Sequence, residues 1–168
     1  MLTPLANVLE TMQSLPMAEA PQVQLLSPDD SSIWRLAYID AFVDTTSEHF
    51  KRHIGSPRQF SDGIHYEGYL WECLRSPARI SYQRFCLEVV RHSELLVTAD
   101  DHSRDRVIGA PLWPFPRNSV VRFEPQILLN SLAVLPEDLY VFDPSVLWTL
   151  VLTHEYTSKN RICCAVGI

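Results

Sequence analysis

At 168 residues the chain is long enough for one domain with a sizeable core. Hydrophobic residues at 46% and charged residues at 20% match a folded globule and exclude a disordered tail. A formal net charge of −6, with Lys51-Arg52 as its one basic cluster, argues against nucleic acid and suits either a basic protein partner or plain solubility.

Residues 1–15 are apolar, and a first helix is expected from Thr3-Pro4 to about Ser14: Thr3 caps it, Pro4 suits the first turn, and Leu2, Leu5, Val8, Leu9 and Met12 recur at helical spacing. No positive charge precedes this apolar run and Glu10 interrupts it, which is unlike a secretory signal. No stretch has the length needed to span a bilayer, so no membrane partner and a cytoplasmic location are expected. Pro16 to Gln22 breaks the pattern, which makes residues 1–22 a helical arm with linker and residues 23–168 a single domain.

Residues 23–26 read as a short strand. Ser27-Pro28-Asp29-Asp30 reads as a helix start: the serine caps, the proline fits the first turn, and the acids face the positive end of the dipole. This helix carries Trp34, Tyr38 and Phe42 four apart, with Ile33, Ala37 and Ala41 beside them, a wide stripe directed at a sheet. From 44 to 63 the pattern weakens into a polar excursion with one or two helical turns around 47–54, and 66–74 fits strand or helix equally. Ser76-Pro77 opens a helix expected to reach His92 with Ile80, Phe85, Val89 and Val90 inward. The compact run 95–99 reads as a strand. Pro111, Pro114 and Pro116 exclude a regular helix or central strand. Glu124-Pro125 starts a last helix with Leu128, Leu132 and Leu135 inward, and Pro136 stops it.

Three strands close the chain, 139–142, 146–153 and 162–168, joined by Asp143-Pro144-Ser145 and Thr157-Ser158-Lys159-Asn160. Val146, Trp148, Leu150 and Leu152 fall on one face and Leu147, Thr149, Val151 and Thr153 on the other, so this strand should be covered on both sides. The fold class expected is α+β, a mostly antiparallel sheet with a C-terminal three-stranded meander covered by about four helices.

Cys73, Cys86, Cys163 and Cys164 lack C-x-x-C spacing and read as reduced, buried or half-buried thiols. His154-Glu155 invites comparison with H-E-x-x-H, but Ser158 occupies the second histidine's place, and a satisfied histidine near the sheet edge is the simpler account. A continuous strand would put His154 on the face of Trp148 and Leu152. His49 and His53 have the spacing of two imidazoles on one helix face, and Glu48, Asp44, Asp62 or His65 would have to complete a metal site. Asp100-Asp101-His102, with Asp105 beyond, follows a strand and reads either as acid–base chemistry or as a charged turn balanced by Arg104 and Arg106. Trp113 and Phe115, within the proline segment, suit a recognition surface or a cap on the core. Gly-rich phosphate loops and G-x-S-x-G are absent from the sequence, and no cofactor or metal is expected.

The stretch from Leu135-Pro136-Glu137-Asp138-Leu139-Tyr140-Val141-Phe142-Asp143 through Trp148-Thr149-Leu150-Val151-Leu152-Thr153-His154-Glu155 resembles a block in small bacterial proteins similar to polymorphic-toxin immunity proteins. The resemblance covers about the last 35 residues and carries over no catalytic residue. It implies a non-enzymatic binding protein that docks an acidic face on a basic toxin, with Asp100, Asp101, Asp105 and Trp113 as contact residues. The alternatives are a small hydrolase or metal-dependent enzyme using His154/Glu155 or Asp101/His102, and a structural subunit of a larger assembly.

Overall fold

The structure, a computed structural model, describes residues 23–60, 63–100, 115–157 and 160–168. The expected arm 1–22 and the residues Asp101, His102, Asp105 and Trp113 lie outside them. The protein is α+β, built on a seven-stranded sheet in which every neighbouring pair is antiparallel.

In chain order the elements are β1 (Val23–Leu25), α1 (Pro28–Phe42), a π-helical turn (Phe50–Ile54), β2 (Arg58–Phe60) and β3 (Gly63–His65). A 3-10 turn (Leu70–Cys73), β4 (Ala78–Ile80), α2 (Tyr82–Val89), β5 (Leu95–Ala99) and β6 (Val121–Phe123) follow. The chain closes with α3 (Pro125–Ser131), β7 (Leu139–Phe142), β8 (Thr149–Tyr156) and β9 (Arg161–Val166). The sheet order is β1-β6-β5-β7-β8-β9-β4, and β2 with β3 forms a separate hairpin.

Alternation along the central strands builds two cores. One face carries Leu95, Val97, Val141, Leu150, Leu152 and Cys163 against Phe85 and Val89 of α2, Leu128 of α3, and Leu132 and Leu135 beyond it. The other carries Leu96, Tyr140, Phe142, Val151 and Cys164 against Tyr38 and Phe42 of α1 and the segment through Leu74. Period-two alternation thus places Cys163 and Cys164 in different cores, and the four cysteines are free. Among the described residues no helix is long and apolar enough to cross a membrane.

α1 begins as its sequence dictates, with the Ser27 hydroxyl accepting from the Asp30 N–H at 3.1 Å and Pro28 in the first turn. Its Tyr38 ring lies 5.0 Å from Phe142 and 5.5 Å from Tyr140. Ile33, expected beside that aromatic stripe, is instead 61% exposed, because five residues before Tyr38 the helical turn points it away from the sheet.

Several boundaries differ from expectation. The helix expected from Ser76-Pro77 starts later, because residues 78–80 pair with Cys163–Ala165 at the sheet edge and Ser81 caps α2 at the Arg84 N–H; Val90, past its end, is exposed. β8 starts at Thr149 and not at 146, because the turn after β7 extends through Val146, which adopts a positive φ of 51° and donates its N–H to Asp143. Trp148 is therefore outside the strand, though buried, and stacks on His92 at 3.9 Å. β6 and the β2–β3 hairpin had no counterpart in the sequence reading, since three residues are too few to display a period.

Candidate functional site

The strand register gathers polar groups at one end of the sheet. Ala99 pairs with Leu139 and Leu139 with Leu152, so one step further Asp100, Asp138 and Thr153 stand side by side. Leu96, Thr98 and Asp100 alternate onto the α1 side, and the Asp100 carboxylate is buried with 1% exposure. This corrects the expectation that Asp100 contributes to an exposed acidic face.

Asp100 is held by donors from separate parts of the chain. The Tyr66 hydroxyl donates to Oδ1 at 2.8 Å, the Leu70 backbone N–H donates to the same oxygen at 3.3 Å, and the Tyr140 hydroxyl donates to Oδ2. The Trp71 backbone N–H donates to the Tyr140 hydroxyl at 3.0 Å, tying the 3-10 turn to the same network. Arg35 reaches in from α1, giving Nη1 to Thr98 Oγ1 at 2.7 Å and Nη2 to the Tyr66 hydroxyl at 3.4 Å. Burial pushes the Asp100 carboxyl up to about 7; the facing Asp138 adds to the rise, while the tyrosine and backbone donors oppose it. Tyr140 is driven well above its ordinary value by the same burial and by Asp100, so it remains a donor.

Asp138, wholly buried, accepts the His154 backbone N–H at 2.9 Å and lies 3.0 Å from His154 Nδ1. The ring is satisfied, as the simpler account expected, but its position differs. Between Leu152↔Cys163 and Tyr156↔Arg161 the register shifts, so Thr153, His154 and Glu155 stand opposite Ile162 alone. This bulge breaks the alternation that would have sent His154 to the side of Trp148. His154 stacks on Tyr69 at 4.6 Å, with Trp71 edge-on at 6.1 Å. Glu155 is exposed and does not join it. His154-Glu155 is thus not a chemical pair; the partner of His154 is Asp138, whose role only the register reveals.

His49 and His53 do meet, with ring centroids 5.0 Å apart, and His49 Nε2 lies 2.9 Å from Glu72 Oε2. Glu48 instead faces Arg52 at 3.5 Å. Among the described residues no group of three His, Cys, Asp or Glu side chains is arranged to hold a metal ion. The pair is packed on Gly68, where an added Cβ would fall 2.7 Å from His53 Cβ, 2.8 Å from His49 Nε2 and 2.9 Å from Ile54 Cδ1. Gly68→Ala is therefore expected to lose about 1–3 kcal/mol in urea unfolding, the usual magnitude of overpacking. Phe115, from the proline segment, is buried in the α2–α3 core, which fits its role as a core cap.

Compared with known proteins, the chain matches no family model, no curated protein and no solved structure.

Proposed function

We propose that the protein is a non-enzymatic binding protein, an immunity protein that neutralises a basic toxin by docking an anionic surface on it. The observation that carries this reading is how its buried carboxylates are used. Asp100 meets three donors and Asp138 holds both the backbone and the ring of His154, so Asp100 is committed to joining β5 to β7 and to the segment from Tyr66 to Leu70, and Asp138 to joining the start of β7 to β8. Other acids, such as Asp29, Asp30 and Asp40, are exposed in a chain of net charge −6, where they speed encounter with a cationic partner. The resemblance of the C-terminal block to immunity proteins points the same way. Co-expression with each toxin encoded beside its gene is expected to restore growth for one of them; growth that stays arrested with every such toxin ends the reading.

A second reading, a small hydrolase or metal-dependent enzyme, is favoured by one observation. The His154 ring retains 23% side-chain exposure beside the buried Asp138, which is the make-up of an acid–base pair. A broad hydrolase screen of wild type and His154→Ala separates the two readings. Turnover that vanishes in the variant supports the enzyme, and no turnover in either removes it.

A further inference from the structure

We propose that the outer face of α1, formed by Asp29, Ile33, Leu36 and Asp40, is the surface that receives the cationic partner; this rests on the binding-protein reading and assigns its location. Positions 29, 33, 36 and 40 recur at helical spacing, so the four residues share one side of the helix. All four are exposed, Ile33 at 61% and Leu36 at 65%. The opposite side of the same helix already buries Tyr38 and Phe42 in the sheet. α1 is thus apolar on both sides, and its outer apolar pair has an acid at each end, an apolar centre with a charged rim.

Charge decides among the occupants. Residues 1–22 contain Glu10 and Glu19 and no Lys or Arg, so the chain's own N-terminal segment offers no basic side chain to Asp29 and Asp40. A second copy brings the same acids and the same net charge of −6. A cationic protein face is attracted at the rim and buries Ile33 and Leu36 at the centre. Of the arginines near the helix, Arg35 is turned to Thr98 and Tyr66 and Arg75 to the Asp40 carbonyl at 2.7 Å, while Arg117 lines the same cleft as Leu36.

The test uses the full chain and the toxin encoded beside its gene. Leu36→Arg places a cation at the centre of the face, while Leu87→Arg places one at an exposed apolar site on α2. Leu36→Arg is expected to weaken toxin binding at least a hundredfold and to abolish growth protection, and Leu87→Arg to leave both as in wild type. Both positions are exposed, and retained unfolding midpoints check that both variants fold. Equal binding by wild type and Leu36→Arg overturns the assignment and leaves the binding-protein reading standing; no binding by wild type defeats that reading itself. A photo-crosslinking residue at position 36 is expected to join the toxin. A crosslink of the purified protein to its own residues 1–22, or to a second copy, overturns the proposal.

Discussion

Between about pH 4 and pH 7 the stability of the wild-type fold is expected to fall by as much as about 4 kcal/mol on account of Asp100, and in Asp100→Asn this fall is expected to vanish. The sign follows from burial. The unfolded carboxyl titrates near 3.8 and the folded one near 7, so across that interval the folded state binds the proton and the unfolded state does not. Stability from the neutral carboxyl is fully present below the unfolded value and is lost as pH rises through the folded one. The group is wholly buried, so solvent does not screen the effect. Urea unfolding of both proteins across this range gives the two slopes, and their difference removes the contribution of groups that titrate alike in both. Equal slopes would show that Asp100 is not the titrating group. Asp100→Ala is expected to cost more than the Asn variant at low pH, since it leaves Tyr66, Tyr140 and the Leu70 N–H without their shared acceptor.

The second large effect is expected at Phe142. Its ring is fully buried, 5.0 Å from Tyr38, in the register where Phe142 pairs with Leu96 on one side and Thr149 on the other. Phe142→Ala removes the ring that packs on Tyr38 of α1 at the sheet centre and is expected to lower stability by about 3–5 kcal/mol, the range for large aromatic deletions in cores. Leu147→Ala, five residues on, is expected to change stability by less than about 0.5 kcal/mol, because Leu147 is 75% exposed in the turn before β8. A strand beginning at 146 would have buried Leu147 opposite Trp148, so a large loss at Leu147 would contradict the turn. Chemical denaturation of the pair distinguishes the two arrangements.

Both experiments probe what joins the layers. The aromatic cluster of Tyr38, Phe42, Tyr140 and Phe142 fastens α1 to the sheet through apolar contact, while Asp100 fastens the segment from Tyr66 to Trp71 through hydrogen bonds. Apolar burial gains from every contact made, whereas a buried carboxylate is tolerable only with its donors in place. Fixing that segment in turn positions Tyr69 under His154 and the Trp71 N–H on Tyr140.

Several elements were legible without coordinates because each carries its own punctuation and pattern. The strands at 95–99 and 139–142 are compact apolar runs between turn residues, α1 opens on a serine cap and a proline, and α3 opens on a proline, each with apolar residues recurring toward one side. The α+β class and the antiparallel pairing of the last three strands follow from those local signals. The site was not legible, because its members come from elements about 30 to 40 residues apart and no local spacing relates them. Asp100 looks like part of a charged turn until Tyr66, Leu70 and Tyr140 converge on it. His154 looks like a neighbour of Leu152 until the bulge changes its side of the sheet. Local sequence determined α1, α3, β5 and β7, since backbone propensity and periodicity act within a few residues, whereas residues 78–80 became a strand by pairing with β9. Register, burial of charge and the face left open on α1 were decided by tertiary structure alone, since each depends on what a distant segment supplies or withholds.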